Sequence, residues 1–322
     1  MKLKVILFTF TLLFSTYGYS VEKTTLKLGV LAFGTVNWEL TTLLNQNIID
    51  NASFQLKIHP VANPQAGKIA LQSGAVDIIV SDWIWVSRLR STGSDFSFYP
   101  YSTTSGALVV PKDSTIKSIK DLQGKKLGIA GGELDKNWLL LQTLAQQHYQ
   151  VALNTSVEKV YGAPPLLNQQ LLRGRVDAIL NYWHFAAKLE AKGYKQLING
   201  KQILHTLGIN EEIPTLGYVF NRSWAEKNKT IINDFLKSSQ QAKNLLCESD
   251  KAWQEIIPLT KTKDKATQDI LRQRYCAGRI KQWGKNEQQA AAKIYTLLRT
   301  MSNNKLTGNS KELQPGTFWT ID

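Results

Sequence analysis

The sequence predicts an α/β protein made of two doubly wound lobes that are joined by two crossing strands. At 322 residues the chain exceeds the usual single domain of about 100–200 residues, which favours two lobes. One stretch of the sequence occurs twice at a constant offset, and apolar runs of strand length alternate with helical patterns through most of the chain. The C-terminal part has only helical patterns, and we expect it to pack on lobe one.

The repeated stretch predicts one supersecondary unit that is used twice. Residues 64–83 are PQAGKIALQSGAVDIIVSDW, and residues 164–183 are PPLLNQQLLRGRVDAILNYW. In both copies a proline suits the first turn of a helix, a glycine suits its end, and the apolar segment suits a strand buried on both faces of a parallel sheet. The alternative is that any two units of similar length match this well. Within the strands, Asp77 and Asp177 are predicted to be structural.

The elements follow in order and place the lobe boundaries. A strand at 26–31 leads to a helix with Asn37 as its predicted N-cap, and a strand at 54–58 precedes the first repeated unit. Strands 105–111 and 215–221 are predicted to cross between the lobes as a hinge. Lobe one is then residues 21–104 plus 215–322, and lobe two is residues 105–214. The predicted C-terminal helices cover residues 231–246, 252–257, 265–274 and 287–301.

Residues 1–20 have the parts of a secretory signal peptide. Two lysines precede an apolar run from Val5 to Phe14 that is too short to span a bilayer, and small residues precede a cleavage point after Ser20. Because no cysteine near that point could carry a lipid, we expect a soluble exported protein. A retained amphipathic anchor is the alternative.

The two cysteines and the net charge are consistent with export. Cys247 and Cys276 are an even pair, compatible with one disulfide in an oxidising compartment, while two unrelated buried thiols are the alternative. The formal charge is +14, but the basic residues are dispersed along the chain. No nucleic-acid partner is therefore expected, and the densest basic run, residues 261–285, is interpreted as a solvated basic face because it also contains Asp264 and Asp269.

No local motif for catalysis or metal binding is present in the sequence. His59, His148, His184 and His205 lack the spacing of metal ligands, and there is no nucleophile elbow, phosphate-binding loop or dinucleotide fingerprint. We therefore expect a protein that is not an enzyme and that uses no cofactor or metal. If the chain were an exported enzyme, Asp82 or His184 would be its candidate general acid or base.

The candidate binding residues lie at predicted strand ends and helix starts, where α/β sheets bind ligands. The tryptophans among them are expected to wall a ligand, and the asparagines and Asp82 to orient it by hydrogen bonds. The candidate set is Asn37, Trp38, Glu39, Ser81, Asp82, Trp83, Asp135, Asn137, Trp138, Asn181, Tyr182 and Trp183.

Two expectations concern the geometry and the charge of this site. The segments 81–83 and 181–183 are expected to face each other across the cleft, and replacing Trp83 or Trp183 by alanine is expected to weaken binding without loss of the fold. Free helix N-termini favour an anionic ligand, whereas Glu39, Asp82, Glu133 and Asp135 favour a cationic or hydrogen-bond-donating one. The sequence leaves this conflict open.

The segments 70–77, ALQSGAVD, and 119–128, IKDLQGKKLG, resemble the periplasmic solute-binding proteins of ABC importers, in the nitrate/sulfonate/taurine class. The resemblance covers essentially all of the mature chain. It implies a type II periplasmic binding fold, a periplasmic location, a small-molecule ligand captured between the lobes, an ABC permease in the inner membrane as partner, and a monomer. It implies no cofactor.

The sequence departs from that class at the turn after the first strand of lobe two. Sulfonate and taurine binders have a small, serine-bearing turn there, whereas this chain has GGELD at 131–135, which argues against a sulfonate or nitrate ligand. Residues 131–141 and 181–185 also resemble a subgroup linked to periplasmic quinoprotein alcohol oxidation. An accessory protein of such a system and an exported enzyme on the same fold are the alternative functions.

Overall fold

The structure is a computed structural model that describes residues 23–32 and 34–321. The predicted signal peptide lies outside the described residues. The strands are β1 (Thr24–Leu31), β2 (Phe54–Val61), β3 (Ile78–Ser81), β4 (Phe96–Ser102), β5 (Ala107–Val110), β6 (Lys126–Ala130), β7 (Glu158–Gly162), β8 (Ala178–Asn181), β9 (Lys195–Asn199) and β10 (Leu216–Asn221).

The helices up to α8 lie between strands, and those after β10 follow one another without strands. They are α1 (Val36–Asn45), α2 (Pro64–Gln72), α3 (Trp83–Arg90), α4 (Lys136–Tyr149), α5 (Leu153–Ser156), α6 (Pro164–Leu172), α7 (Trp183–Glu190), α8 (Gly200–Thr206), α9 (Arg222–Lys227), α10 (Lys229–Glu248), α11 (Asp250–Thr260), α12 (Lys265–Ala277) and α13 (Lys285–Met301). None of the described helices is long and apolar enough to cross a membrane.

The strands form two sheets with the same topology. Sheet one has the order β2-β1-β3-β10-β4, and sheet two has the order β7-β6-β8-β5-β9. In each sheet four strands run in one direction, and the fourth strand in the order is antiparallel to both neighbours. Sheet one with the helices between its strands is lobe one, and sheet two with the helices between its strands is lobe two. This arrangement confirms the predicted two-lobed α/β class.

The two repeated units have the predicted local structure. Pro64 and Pro164 begin α2 and α6, and the glycines that follow these helices, Gly74 and Gly174, have φ of 74° and 63°. That left-handed backbone suits a residue without a side chain. Asp77 accepts a 2.8 Å hydrogen bond from the N–H of Lys27, and Asp177 accepts one of 2.7 Å from Lys126. Both aspartates therefore tie neighbouring strands together, as predicted.

The chain passes between the sheets in two connections, residues 103–106 and 207–215. The strands predicted to cross each belong to one sheet: β5 lies in sheet two, and β10 lies in sheet one. Each is the antiparallel strand of its sheet, reached directly after the connection. The lobe boundaries proposed at residues 104 and 214 fall within these connections.

The C-terminal helices contact both lobes. Helices α10 and α11 pack on α1 of lobe one, as expected, whereas α12 packs on α7 and α13 packs on α4 of lobe two. The chain then returns to lobe one, where the N–H of Phe98 in β4 donates to the carbonyl of Thr317 at 2.7 Å. The expectation that this whole part packs on lobe one is therefore correct only for its first helices and its tail.

Candidate functional site

A cavity lies between the two lobes, beside both connections of the hinge. The space between its lining atoms is about 590 Å³, part of which is open to solvent. Residues from α3, α4, α8, α13 and both connections line it. They are Trp83, Ile84, Thr103, Ser105, Lys136, Asn137, Leu140, Gly200, Lys201, Leu204, Glu211, Glu212, Ile213, Thr215, Ile294 and Leu298.

The first residues of α4 supply the polar side of this cavity. Lys136 and Asn137 line it, and the Asn137 side chain lies against the backbone of two glycines. A Cβ added to Gly106 would lie 3.0 Å from Asn137 Nδ2, and one added to Gly200 would lie 2.9 Å from its Oδ1. These glycines therefore leave room for the amide at this place. The rest of the lining combines aliphatic side chains with the charged residues Lys201, Glu211 and Glu212.

An ion pair between the lobes closes one side of this region. Asp82, at the end of β3, has a carboxylate oxygen 3.0 Å from Lys136 Nζ of lobe two and 4.0 Å from Lys68 Nζ. The same carboxylate caps α3, since it accepts the N–H of Trp85 at 2.9 Å. Burial raises the pKa of Asp82, but Lys136, Lys68 and the Trp85 N–H outweigh it, so the pKa lies below its ordinary value. Asp82 is thus ionised and already bonded.

Asp135 caps α4 in the same way. Its carboxylate accepts the N–H groups of Asn137 at 2.9 Å and Trp138 at 3.1 Å. Burial raises the pKa of Asp135, and burial with the nearby Asp135 charge raises the pKa of Tyr182 to about 12. The Tyr182 phenol is therefore a neutral donor at pH 7. Because Asp82 and Asp135 satisfy the N-termini of α3 and α4, these helix ends are not free anion sites.

Four aromatic rings join the lobes on another side of the cleft. Trp38 of α1 packs edge-on against Trp183 of α7 with ring centroids 6.0 Å apart. Trp38 also contacts Trp253 at 5.6 Å and Tyr275 at 5.5 Å. Trp183 therefore contacts Trp38 and Tyr275. That the segments 81–83 and 181–183 face each other across the cleft stays a prediction.

Glu39 lies in a buried network within lobe one. It is 0% exposed and lies 3.3 Å from Lys243 Nζ, and it also accepts hydrogen bonds from Tyr275, Tyr218 and Ser239. Burial raises its pKa, against the influence of Lys243. Because Lys243 already compensates this carboxylate, the expectation that Glu39 attracts a cationic ligand is wrong.

Three other predicted residues serve the fold. The helix α1 begins one residue before Asn37, so Asn37 is not its N-cap; its amide donates to the carbonyl of Leu31 at 2.8 Å. Trp138 is 0% exposed and lies in the core, so its predicted place on a cleft wall is wrong. Asn181 is 1% exposed, and its amide donates to Pro164 and Asn168 of its own lobe.

Trp83 is a core residue as well as a cavity residue. Only 2% of it is exposed, its Nε1 donates to the carbonyl of Pro214 at 2.9 Å, and its ring contacts Phe318. Because of this burial we now expect alanine here to destabilise the fold, in contrast to the expectation from the sequence. Ser81 is also buried, at 6% exposure. Of the twelve predicted residues, Trp83 and Asn137 line the cavity.

Sequence reasoning missed Lys136, Ser105 and the hinge-side residues of α8. Lys136 directly follows the predicted Asp135, so its position at a helix start could have identified it. The 207–215 connection carried no such signal, because it belongs to neither a strand nor a helix. Its contribution to the cavity lining depends on how the two lobes are joined.

The cysteines form the predicted bond, and the described residues show no metal site. Cys247 of α10 and Cys276 of α12 are joined as a disulfide. Among residues 23–32 and 34–321 there is no cluster of three histidine, cysteine or acidic side chains that could hold a metal ion.

The chain is similar to proteins that bind sulfonates. A protein of Escherichia coli K12 that is named for binding aliphatic sulfonates is 27% identical over 198 residues, which is 60% of this chain and 57% of that relative. The match thus spans little more than half of the relative. The crystal structure of the periplasmic aliphatic sulphonate binding protein SsuA from Escherichia coli superposes with a TM-score of 0.71 at 19% identity, covering 92% of this chain and 97% of that one.

The same fold also occurs in an enzyme. The desulfurization enzyme DszB superposes with a TM-score of 0.54 at 14% identity, over 88% of this chain and 93% of that one. These structural similarities establish the fold, which is that of a type II periplasmic binding protein. A model of the family described as NMT1/THI5 like matches residues 50–251, well over half of the sequence. The chain belongs to the NMT1/THI5-like family.

Proposed function

We propose that this protein is an extracytoplasmic solute-binding protein that captures a small organic ligand between its lobes and delivers it to an ABC-type importer. The interlobe cavity is the observation that carries the proposal, because its walls come from both lobes and both hinge connections. A ligand held there would stabilise one relative position of the lobes. The similarity to periplasmic sulfonate-binding proteins supports a periplasmic location and a permease partner.

The chemistry of the cavity supports a ligand with an apolar body and one hydrogen-bonding end. The aliphatic wall, formed by Leu140, Leu204, Ile213 and their neighbours, suits the body. Asn137 and Ser105 can bond the polar end, and Lys136 keeps its charge because Asp82 outweighs the effect of burial and raises its pKa. A sulfonate held on the ends of α3 and α4 is disfavoured, since Asp82 and Asp135 already accept those N–H groups.

An exported enzyme at this site is disfavoured by its two candidate acid–base groups. Asp82 is committed to Lys136 and to the start of α3. His184 is half-buried and contacts Trp183 and Phe185, and desolvation with the nearby Lys188 lowers its pKa to about 3. Neither group has a pKa near neutral pH, where general acid–base catalysis is most effective.

Native mass spectrometry of protein purified from its own cells tests the capture of a ligand. We expect a small-molecule adduct on the wild-type protein that is lost in Asn137→Leu, because leucine removes both amide groups from the cavity. Asn154→Leu is the matched control: Asn154 is exposed on α5, so this variant should keep the adduct. An unliganded protein under every growth condition would argue for an accessory protein and against import.

A further inference from the structure

A second cavity lies on the flank of lobe one. The space between its lining atoms is about 500 Å³, part of which is open to solvent. Its walls are β4, β10, α10 and the segment between α12 and α13. We call it the lateral cavity; it is lined by Tyr99, Pro100, Tyr101, Tyr218, Leu236, Ser239, Gln240, Lys243, Asn244, Arg279, Ile280 and Trp283.

The lateral cavity is separate from the interlobe cavity. No residue lines both. Phe318 lies between them, since its ring centroid is 4.9 Å from that of Trp283 and 6.1 Å from that of Trp83. The lateral cavity lies next to the hinge, because the carbonyl of Gly278 accepts the N–H of Thr103 in the first connection at 3.0 Å.

The polar groups of the lateral cavity favour a hydrogen-bond acceptor. Two cations, Lys243 and Arg279, line it, and no carboxylate does. Each cation has a carboxylate partner: Lys243 lies 3.3 Å from the buried Glu39, and Arg279 lies 3.0 Å from the exposed Glu248. Lys243 also donates to the carbonyl of Tyr101 at 2.6 Å, whereas Arg279 keeps further N–H donors because a guanidinium has five.

Trp283, which also lines the lateral cavity, has an unsatisfied donor. Its Nε1 is buried and has no hydrogen-bond partner among the described residues. Buried donors without a partner are uncommon, because each retains the cost of its lost hydration. A ligand acceptor would remove that cost. The rings of Trp283 and Tyr99 also line the cavity and offer flat apolar surface to an aromatic ligand.

We propose that the lateral cavity is a second small-molecule site and that it binds a small aromatic carboxylate. The carboxylate would accept hydrogen bonds from Arg279, whose planar guanidinium matches it in geometry, and from Trp283 Nε1. The aromatic ring would lie against Tyr99 and Trp283. This site does not depend on the proposed import function.

Isothermal titration calorimetry with benzoate tests this site, with benzylammonium as the probe of opposite charge. We expect benzoate to bind and benzylammonium not to bind. Arg279→Gln should weaken benzoate at least about tenfold, as expected for the loss of a charge-assisted pair. Trp283→Phe, which keeps a ring but removes the N–H, should weaken it several-fold. The control Arg175→Gln, which removes an exposed arginine of lobe two, should stay within about twofold.

The interlobe variant Asn137→Leu separates the two cavities. It should leave benzoate affinity unchanged, because Asn137 lies outside the lateral cavity. Loss of benzoate binding in Asn137→Leu with retention in Arg279→Gln would place the ligand between the lobes and overturn the proposal. Absence of benzoate binding to the wild-type protein, or equal binding of benzylammonium, would also overturn it.

Discussion

Asp82 has two structural roles that depend on its charge. It caps the helix that follows its strand, and it pairs with Lys136 of the other lobe. Because both oxygens are engaged and the side chain is only 8% exposed, the carboxylate is held by partners on both sides of the cleft. Contacts between the lobes therefore include a charged pair as well as aromatic rings.

Replacing Asp82 by asparagine should keep the helix cap and remove the interlobe charge pair. We expect the free energy of unfolding to fall by about 1–3 kcal/mol at pH 7, as for the loss of a buried charged hydrogen bond. Urea denaturation measures this change. Asp269→Asn removes an exposed pair with Lys265 on one helix and should have no measurable effect.

The difference between the wild-type protein and Asp82→Asn should depend on pH. The folded pKa of Asp82 lies below its unfolded value of about 3.9, so its contribution is fully present above that pH and is lost as the pH falls through the folded pKa. Denaturation curves between pH 3 and pH 7 should therefore converge at the acid end. A constant difference over that range would contradict an ionised Asp82 as the cause.

The Glu39–Lys243 pair is buried, so removing one of its charges should destabilise the fold more than removing both. Burial lowers the pKa of Lys243, against the influence of Glu39. Glu39→Gln leaves Lys243 buried without its carboxylate and should destabilise the fold by about 3–5 kcal/mol. The double variant Glu39→Gln with Lys243→Met should recover part of this loss in urea denaturation. A double variant less stable than the single one would contradict this account.

Neighbouring residues at the start of α4 lie in different environments, and this limits how well the sequence predicts binding residues. Asn137 reaches the interlobe cavity, whereas Trp138, the next residue, is completely buried in the core. Successive helical residues point about 100° apart, so only part of a helix start can face a cleft. The sequence places the helix start, but the direction of each side chain depends on how the other lobe packs.

At the scale of elements, local sequence patterns predicted the helices and strands better than they predicted the binding residues. The duplicated proline, glycine and aspartate signals correctly placed α2, β3, α6 and β8. Those signals depend on local backbone geometry and on the adjacent strand, so a short segment of sequence is enough to identify them. The packing of α12 and α13 on lobe two was not predicted, because it depends on contacts between segments far apart in sequence.

The disulfide fixes α12 to α10 while α12 packs on lobe two. Cys247 and Cys276 are separated by 29 positions. The bond should stabilise the fold by about 3–4 kcal/mol, because it lowers the conformational entropy of the unfolded chain. Replacing both cysteines by alanine should lower the thermal midpoint, as should adding reductant to the wild-type protein. Reductant should not change the double variant. An unchanged wild-type midpoint under reducing conditions would contradict a stabilising bond.

At the scale of the whole molecule, two sheets of one topology are joined by two connections, and the strand after each connection is the antiparallel strand of its sheet. The C-terminal helices then bridge the lobes, where Arg274 of α12 pairs with Glu190 of α7. The cavity beside the hinge is therefore enclosed by elements from distant parts of the chain. A change in the relative position of the lobes would change its shape, which is how a solute-binding protein couples ligand capture to closure.

A crystal structure of the protein with its co-purified ligand tests the central claim most directly. We predict ligand density between the lobes, in contact with Asn137 and with residues of both hinge connections. The polar end of the ligand should lie within hydrogen-bond distance of the Asn137 amide. Ligand density confined to another surface, with the interlobe cavity filled only by water, would contradict the account.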